Sequence, residues 1–291
     1  MRLAFVGFGE VGYYLARDLA GRGLAITAYR RRRETAEARA RETGVRLCAT
    51  LGEALAGAGV VLSCVWPQTA LEVAREATGL LRPGQFYADL NSTAPGTAQR
   101  IHDAIAPSGA GFAKLAVMAG VTDAGAKTPI LAGGPDAQRL AELLNGWGLN
   151  VLVLGLDARA PAAFKIVRAY GLKAILAASH EMLRVARRYG IEEEVLVSAG
   201  EMLGWAGYGQ RMSDWIASSA VHAARRAQEM DEAIETIADV GLDPRFAEAT
   251  RRVFEGIAAS ELQAVFGETP PASYREVLDA LDRTRLPPES Q

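Results

Sequence analysis

Cysteine is nearly absent: the chain has two, Cys48 and Cys64, and neither sits in a CxxC or Cys/His cluster. That pattern argues against a structural zinc site or a redox dithiol, so no metal is expected and both read as buried thiols. Excess charge is also missing. Lys and Arg total 32 against 34 Asp and Glu, a formal net charge of -2. A protein that binds nucleic acid in bulk is usually basic, so no nucleic-acid partner is expected. No apolar run reaches the roughly 18 to 20 residues that a membrane-spanning helix needs, so no membrane partner is expected either. The opening MRLAFVGFGE turns glycine-rich and acidic too early for a secretory leader, which points to the cytoplasm.

What is present is an ordinary globular composition, 49% hydrophobic and 23% charged over 291 residues, enough for two domains with sizeable cores. The first half alternates short apolar runs with amphipathic stretches, as βαβ units do. Strands are expected at Leu3–Val6, Ala25–Tyr29, Val60–Val65, Phe86–Asp89, Lys114–Met118, Pro129–Ala132 and Val151–Leu154. From about Ala160 the texture changes. Residues 160–189 hold no proline after Pro161 and one interior glycine, which reads as a single helix about 45 Å long with Pro161 in its first turn. The remainder is Ala-, Glu- and Arg-rich with helical periodicity. The expected fold is an α/β doubly wound Rossmann domain over 1–158, followed by an all-α domain over 159–291 built on a long interdomain helix. The tail TRLPPESQ reads as frayed.

Gly7-Phe8-Gly9-Glu10-Val11-Gly12 follows the strand RLAFV and opens a helix near Val11. In such a loop the first glycine makes the tight turn, the second admits a pyrophosphate, and the third allows close helix–strand packing. Its position between strand and helix makes it a dinucleotide-binding loop. An NAD site carries an acid about 20 residues on, to bind the ribose hydroxyls. That acid is missing: Tyr29-Arg30-Arg31-Arg32-Arg33 stands there instead. Guanidinium groups hold a 2′-phosphate where a carboxylate would repel it. NADP(H) is therefore the expected cofactor, with Tyr29, Arg30 and Arg31 reading it and Arg32 and Arg33 as solvated charge at the helix entry.

The order GFGEVG, VLSCVWP, DLNSTAP, LAVMAG and AAFKIVRAYGLK resembles the 6-phosphogluconate dehydrogenase-like β-hydroxyacid dehydrogenases over nearly the whole chain. The resemblance implies an NAD(P)-dependent oxidoreductase acting on a small hydroxyacid, and a homodimer. Asp89-Leu90-Asn91-Ser92-Thr93-Ala94-Pro95 matches the family's D-x-S-T-x-x-P, so Asn91 and Ser92 would fix nicotinamide and substrate. Alternatively, Ser92 or Thr93 caps the helix after Pro95. Val65, Trp66 and Pro67 fall where the family runs its backbone past the nicotinamide ribose.

Met118-Ala119-Gly120 replaces the family's Ser-Gly-Gly, a substrate-binding turn. Lys165 matches the family's acid/base; partial desolvation lowers a lysine's pKa and lets it trade a proton with a hydroxyl or carbonyl. Ala169 replaces an asparagine one turn on, which implies a substrate other than the family's common hydroxyacids. Lys173 lies two turns beyond Lys165, either binding an anionic substrate or facing solvent.

The second half, with its HAARRAQEM run, resembles a branch with a C-terminal domain of unassigned function. There His222 and Arg225 would face substrate, or join a bundle-stabilising network with Arg226. Trp205, Tyr208 and Trp215 would line a pocket or pack in a core. Two other readings stay open: an NADPH-dependent ketone or imine reductase of the same architecture, and an NADPH-binding protein without turnover.

Overall fold

The computed structural model describes residues 1–32 and 34–283. The tail TRLPPESQ and Arg33 lie outside the described residues. Two compact units are present, Met1–Ile166 and Val167–Gln291.

The first unit holds strands β1 (Arg2–Val6), β2 (Ala25–Tyr29), β3 (Arg46–Leu47), β4 (Val60–Ser63), β5 (Phe86–Asp89), β6 (Gly111–Val117), β7 (Pro129–Gly133) and β8 (Asn150–Gly155). Its helices are α1 (Glu10–Ala20), α2 (Glu34–Thr43), α3 (Leu51–Leu55), α4 (Ala70–Thr78), α5 (Pro95–Ile105), α6 (Val121–Ala124) and α7 (Ala137–Gly146). The long helix α8 (Arg159–Tyr189) runs on into the second unit.

The eight strands form one sheet in the order β3-β2-β1-β4-β5-β6-β7-β8. Every pairing is parallel except β6 with β7. Strand periodicity sends alternate side chains to opposite faces. Leu3 and Phe5 of β1 enter one core with Leu15 and Leu19 of α1, while Ala4 and Val6 enter the other with Ala74 and Ala77 of α4. Helices thus cover both faces, as a parallel sheet requires. The strand order reverses between β1 and β4, which opens the crevice where doubly wound sheets bind ligands.

Differences from the expected strands are local. β4 ends at Ser63, two residues short of the expected Val65, and β6 begins three residues early, at Gly111. The two-residue β3 has too few residues to show any periodicity.

The second unit continues with α9 (Glu192–Met202), α10 (Tyr208–Asp239), α11 (Arg245–Ala258), α12 (Leu262–Phe266) and α13 (Tyr274–Arg283). Met212, Ile216, Phe254, Val277 and Leu278 fill its core. Trp205 packs against Tyr208 and Trp215, with ring centroids 5.7 and 6.3 Å apart, and Trp205 and Tyr208 also line a shallow pocket with Leu196 and Gly200, so both expected placements of these aromatics are met. No helix among the described residues is long and apolar enough to cross a membrane.

Candidate active site

The glycine loop leaves β1 and enters α1, and each glycine has a different physical reason. Gly7 has φ +91, and a Cβ there would lie 2.3 Å from the Cys64 carbonyl oxygen. At Gly12 a Cβ would stand 2.8 Å from the Gly7 oxygen. Both are dictated by the protein's own packing. Around Gly9 a Cβ would meet nothing within 4 Å. Space is therefore open at the one glycine whose neighbour would be a ligand. Gly9 is the N-cap of α1 and offers no side-chain cap, so the first-turn N–H groups of Glu10 and Val11 face an incoming anion with the helix dipole behind them, while the Gly12 N–H is turned to the Cys64 sulfur. The loop fits a dinucleotide pyrophosphate. Glu10 is exposed, whereas the Phe8 ring is fully buried and meets Phe5 edge to face, so Phe8 can meet a cofactor only through its backbone.

From this loop a chain of contacts runs along the strand ends. The Cys64 thiol donates to the Gly7 carbonyl at 3.0 Å; enclosure pushes its pKa up to about 12, so it stays protonated. Next, the Val65 N–H donates to Asn91 Oδ1 at 2.7 Å. Asn91 Nδ2 donates to Asp89 Oδ1 at 2.5 Å and to Ser63 Oγ at 3.2 Å. Its side chain is 4% exposed. Asn91 was expected to touch cofactor and substrate; instead it ties the end of β5 to the end of β4. The adjacent Ser92 hydroxyl accepts from Lys165 Nζ at 2.7 Å. Ala94 occupies the N-cap of α5 with no side-chain cap, so neither Ser92 nor Thr93 has the capping role.

A lysine that motif reading passed over holds this turn. Lys114 of β6 is 1% exposed. It pairs with Asp89 at 2.8 Å, donates to the Asn91 carbonyl, and lies 3.4 Å from Thr93 Oγ1. A buried charge must be paired, and a lysine inside the apolar run GFAKLAV was the available signal.

The arginines after β2 separate. Arg30 Nη1 donates to the Phe8 carbonyl at 3.1 Å, which holds its guanidinium against the glycine loop. Arg31 Nη2 bonds Glu72 at 2.8 Å and Glu76 at 2.6 Å on α4; expected to read phosphate, it sits between two carboxylates. Tyr29 is half-buried and packs on the α4-side core. Trp66 is 70% exposed, just after the half-buried Val65, and it precedes a 3-10 turn beginning at Pro67. Met118 uses its N–H on the Pro129 carbonyl at 2.9 Å, which withdraws it from the expected substrate-binding turn. Ala119 and Gly120 are exposed.

Lys173 and His222 belong to the second unit. Lys173 pairs with Glu229 at 3.0 Å and is 16% exposed, so it does not face open solvent. Arg225 approaches the same carboxylate at 4.0 Å. Arg226 donates to Ser218, Ser219 and the Trp215 carbonyl, a network internal to α10. His222 is half-buried.

Comparison with known proteins agrees with this geometry. Residues 2–155 match the NAD binding domain of 6-phosphogluconate dehydrogenase, and residues 186–257 match a domain of unknown function (DUF1932). A conserved hypothetical protein from Sinorhizobium meliloti 1021 is 32% identical with a TM-score of 0.78, over 98% of this chain and 97% of that one. The conserved protein MTH1747 of unknown function, described as structurally similar to 3-hydroxyacid dehydrogenases, is 32% identical with a TM-score of 0.76, over 90% and 99%. The 3-hydroxyisobutyrate dehydrogenase of Mycobacterium tuberculosis shares the fold at 18% identity, with a TM-score of 0.77 over 96% and 98%. The chain thus belongs to the family whose amino-terminal half is the NAD-binding domain of 6-phosphogluconate dehydrogenase, joined here to the helical domain of unknown function.

Proposed function

We propose that this protein is an NADP(H)-dependent oxidoreductase that moves a hydride between nicotinamide and a small hydroxyacid or related hydroxy/keto substrate, with Lys165 as acid/base. The observation that carries the reading is the 2.7 Å bond from Lys165 to Ser92 at the end of the contact chain leading from Gly7. The nicotinamide, when bound, supplies or accepts the hydride. Lys165 Nζ gives a proton to the substrate carbonyl oxygen in reduction and takes one from the hydroxyl in oxidation. Ser92 accepts from Nζ, orients it, and keeps its own proton for a substrate oxygen. Ala119 and Gly120, both exposed, are the residues proposed to meet the substrate's polar end. A panel of hydroxyacids, ketones and imines assayed with NADPH tests the reading. Turnover confined to imines, or no turnover on any of them, would reject it.

The 2′-phosphate preference rests on Arg30. One of its five donors is used on Phe8, which leaves the others for a phosphate in the same region. Arg31 offsets one of the two negative charges of Glu72 and Glu76, which would otherwise oppose the phosphate more strongly. With hydrogen bonds to charged groups worth about 1.5–3 kcal/mol, the Arg30→Ala/Arg31→Ala variant is expected to raise the Kd for NADPH about 10- to 100-fold and leave that for NADH unchanged. Equal loss for both cofactors sinks the assignment.

The loop makes a separate prediction. Gly9→Ala should leave Tm nearly unchanged, because the added methyl meets no protein atom, while weakening NADPH at least about tenfold, the cost of about 1.4 kcal/mol of steric clash. Gly7→Ala should lower stability by about 1–3 kcal/mol through its positive φ and the Cys64 clash. Thermal unfolding beside cofactor titration separates the two, and a Gly9→Ala variant that binds NADPH normally contradicts the loop's proposed role.

A further inference from the structure

Arg31 stands two residues past the end of β2, whereas Glu72 and Glu76 lie on α4, the helix after β4. β1 lies between β2 and β4 in the sheet, so the two ion pairs pass across the carboxyl end of β1, where the glycine loop begins. In a doubly wound fold the residues just after β2 are the ones that meet the adenosine ribose. The pairs therefore close over the slot that the adenosine half of a dinucleotide enters.

Glu72 and Glu76 are four positions apart on α4, a spacing that puts like charges on one helix face, where they repel. Arg31 Nη2 draws both carboxylates to itself, at 2.8 and 2.6 Å. One guanidinium against two carboxylates leaves this cluster net negative, while Arg30 spends a donor on the neutral Phe8 carbonyl. A 2′-phosphate is close to dianionic at neutral pH, its second pKa being about 6. It competes with the glutamates for Arg31, and the guanidinium has to leave at least one of them to reach it. All three side chains are exposed, so each pair holds by a factor of only about 1.5 to 5, weak enough to exchange. NADH carries a hydroxyl in place of the phosphate and makes no such claim on Arg31.

We infer that Glu72 and Glu76 are specificity-determining residues for the cofactor: they compete with the 2′-phosphate for Arg31, and so hold the preference for NADPH over NADH below the value that Arg30 and Arg31 alone would set. The inference rests on the proposed reading of these arginines as phosphate contacts. When NADPH enters, Arg30 makes the first contact from beside the glycine loop, and Arg31 turns from α4 to the phosphate and leaves the glutamates to solvent. The pair is a determinant of the opposite sign to the arginines, and it comes from a helix far from β2 in sequence.

Equilibrium titration of the full chain with NADPH and NADH is the test, before and after Glu72→Gln/Glu76→Gln, two surface changes that keep side-chain size and remove both charges. The ratio of the Kd for NADH to that for NADPH should rise at least about threefold, the combined worth of two exposed pairs. With fragments, 2′,5′-ADP should gain on AMP by the same factor. Arg31→Ala supplies a readout that a merely structural ion pair would not move. In the parent it should weaken NADPH about two- to threefold; in the glutamine background, where Arg31 meets the phosphate directly, it should cost about tenfold or more. A ratio that stays level or falls in the glutamine variant, or an Arg31→Ala cost equal in the two backgrounds, overturns the inference. The cofactor reading fails separately: a parent with no preference for NADPH counts against that reading, whereas the inference still requires the preference to emerge once the glutamates are gone.

Discussion

Lys165→Ala is expected to lower kcat by about 10²- to 10⁴-fold, the usual contribution of a positioned acid/base group, while the Kd for NADPH stays within a factor of two or so. The reason is geometric. Lys165 meets Ser92 at the end of β5, whereas the pyrophosphate loop is held by Gly7, Gly9, Gly12 and Cys64. Two further variants separate proton transfer from charge alone. Lys165→Arg keeps the positive charge but cannot release a proton near neutral pH, so its kcat should fall nearly as far. Ser92→Ala removes only the orienting partner and should cost less, about 10-fold, in line with the loss of one hydrogen bond. If Lys165→Arg retains most of the activity, Lys165 acts as a fixed charge and the acid/base role is wrong. If all three variants turn over normally, the catalytic group lies elsewhere. Unfolding curves for each variant guard against simple loss of fold.

What could be read in the sequence was local, and what could not was a partnership across strands. The glycine loop was legible because its flanking strand and helix are contiguous with it, so spacing alone supplies the geometry. Lys165 and Ser92 are 73 positions apart and were linked by family resemblance; no periodicity joins them. Arg31 reads as a phosphate contact from its place after β2, but α4 brings Glu72 and Glu76 to it from more than 40 positions away. The side-chain bonds of Asn91 within its turn were not legible. An amide at a strand end looks available until the neighbouring strand presents the Val65 N–H and Ser63 hydroxyl that occupy it. Lys173 of α8 reaches Glu229 of α10 by the same route, through helix pairing that sequence spacing does not encode, whereas Arg226 bonds within its own helix, to residues two and three turns back.

The second large effect concerns the residue that escaped motif reading. Lys114→Met should destabilise the protein by about 3–5 kcal/mol, the cost of stranding one partner of a buried ion pair, and lower Tm by roughly 6–20 °C at about 2–4 °C per kcal/mol for a chain of this size. Asp89 is wholly buried. With Lys114 gone it keeps only the Asn91 backbone and side-chain N–H groups, at 3.0 and 2.5 Å, and an uncompensated negative charge. Adding Asp89→Asn removes that charge but retains an oxygen able to accept from Asn91, so the double variant should recover much of the lost stability. Turnover should not recover with it. Lys114 also donates to the Asn91 carbonyl, which pins the turn that carries Ser92 toward Lys165. A displacement of about 1 Å in that turn costs up to about 10²-fold in rate. The double variant is therefore expected to be stable and slow, with its loss in kcat rather than in NADPH affinity. Full activity in the double variant would reduce Lys114 to a packing element. A single variant as stable as the parent would mean that Asp89 is satisfied without it, and the charge argument would fail at its first step.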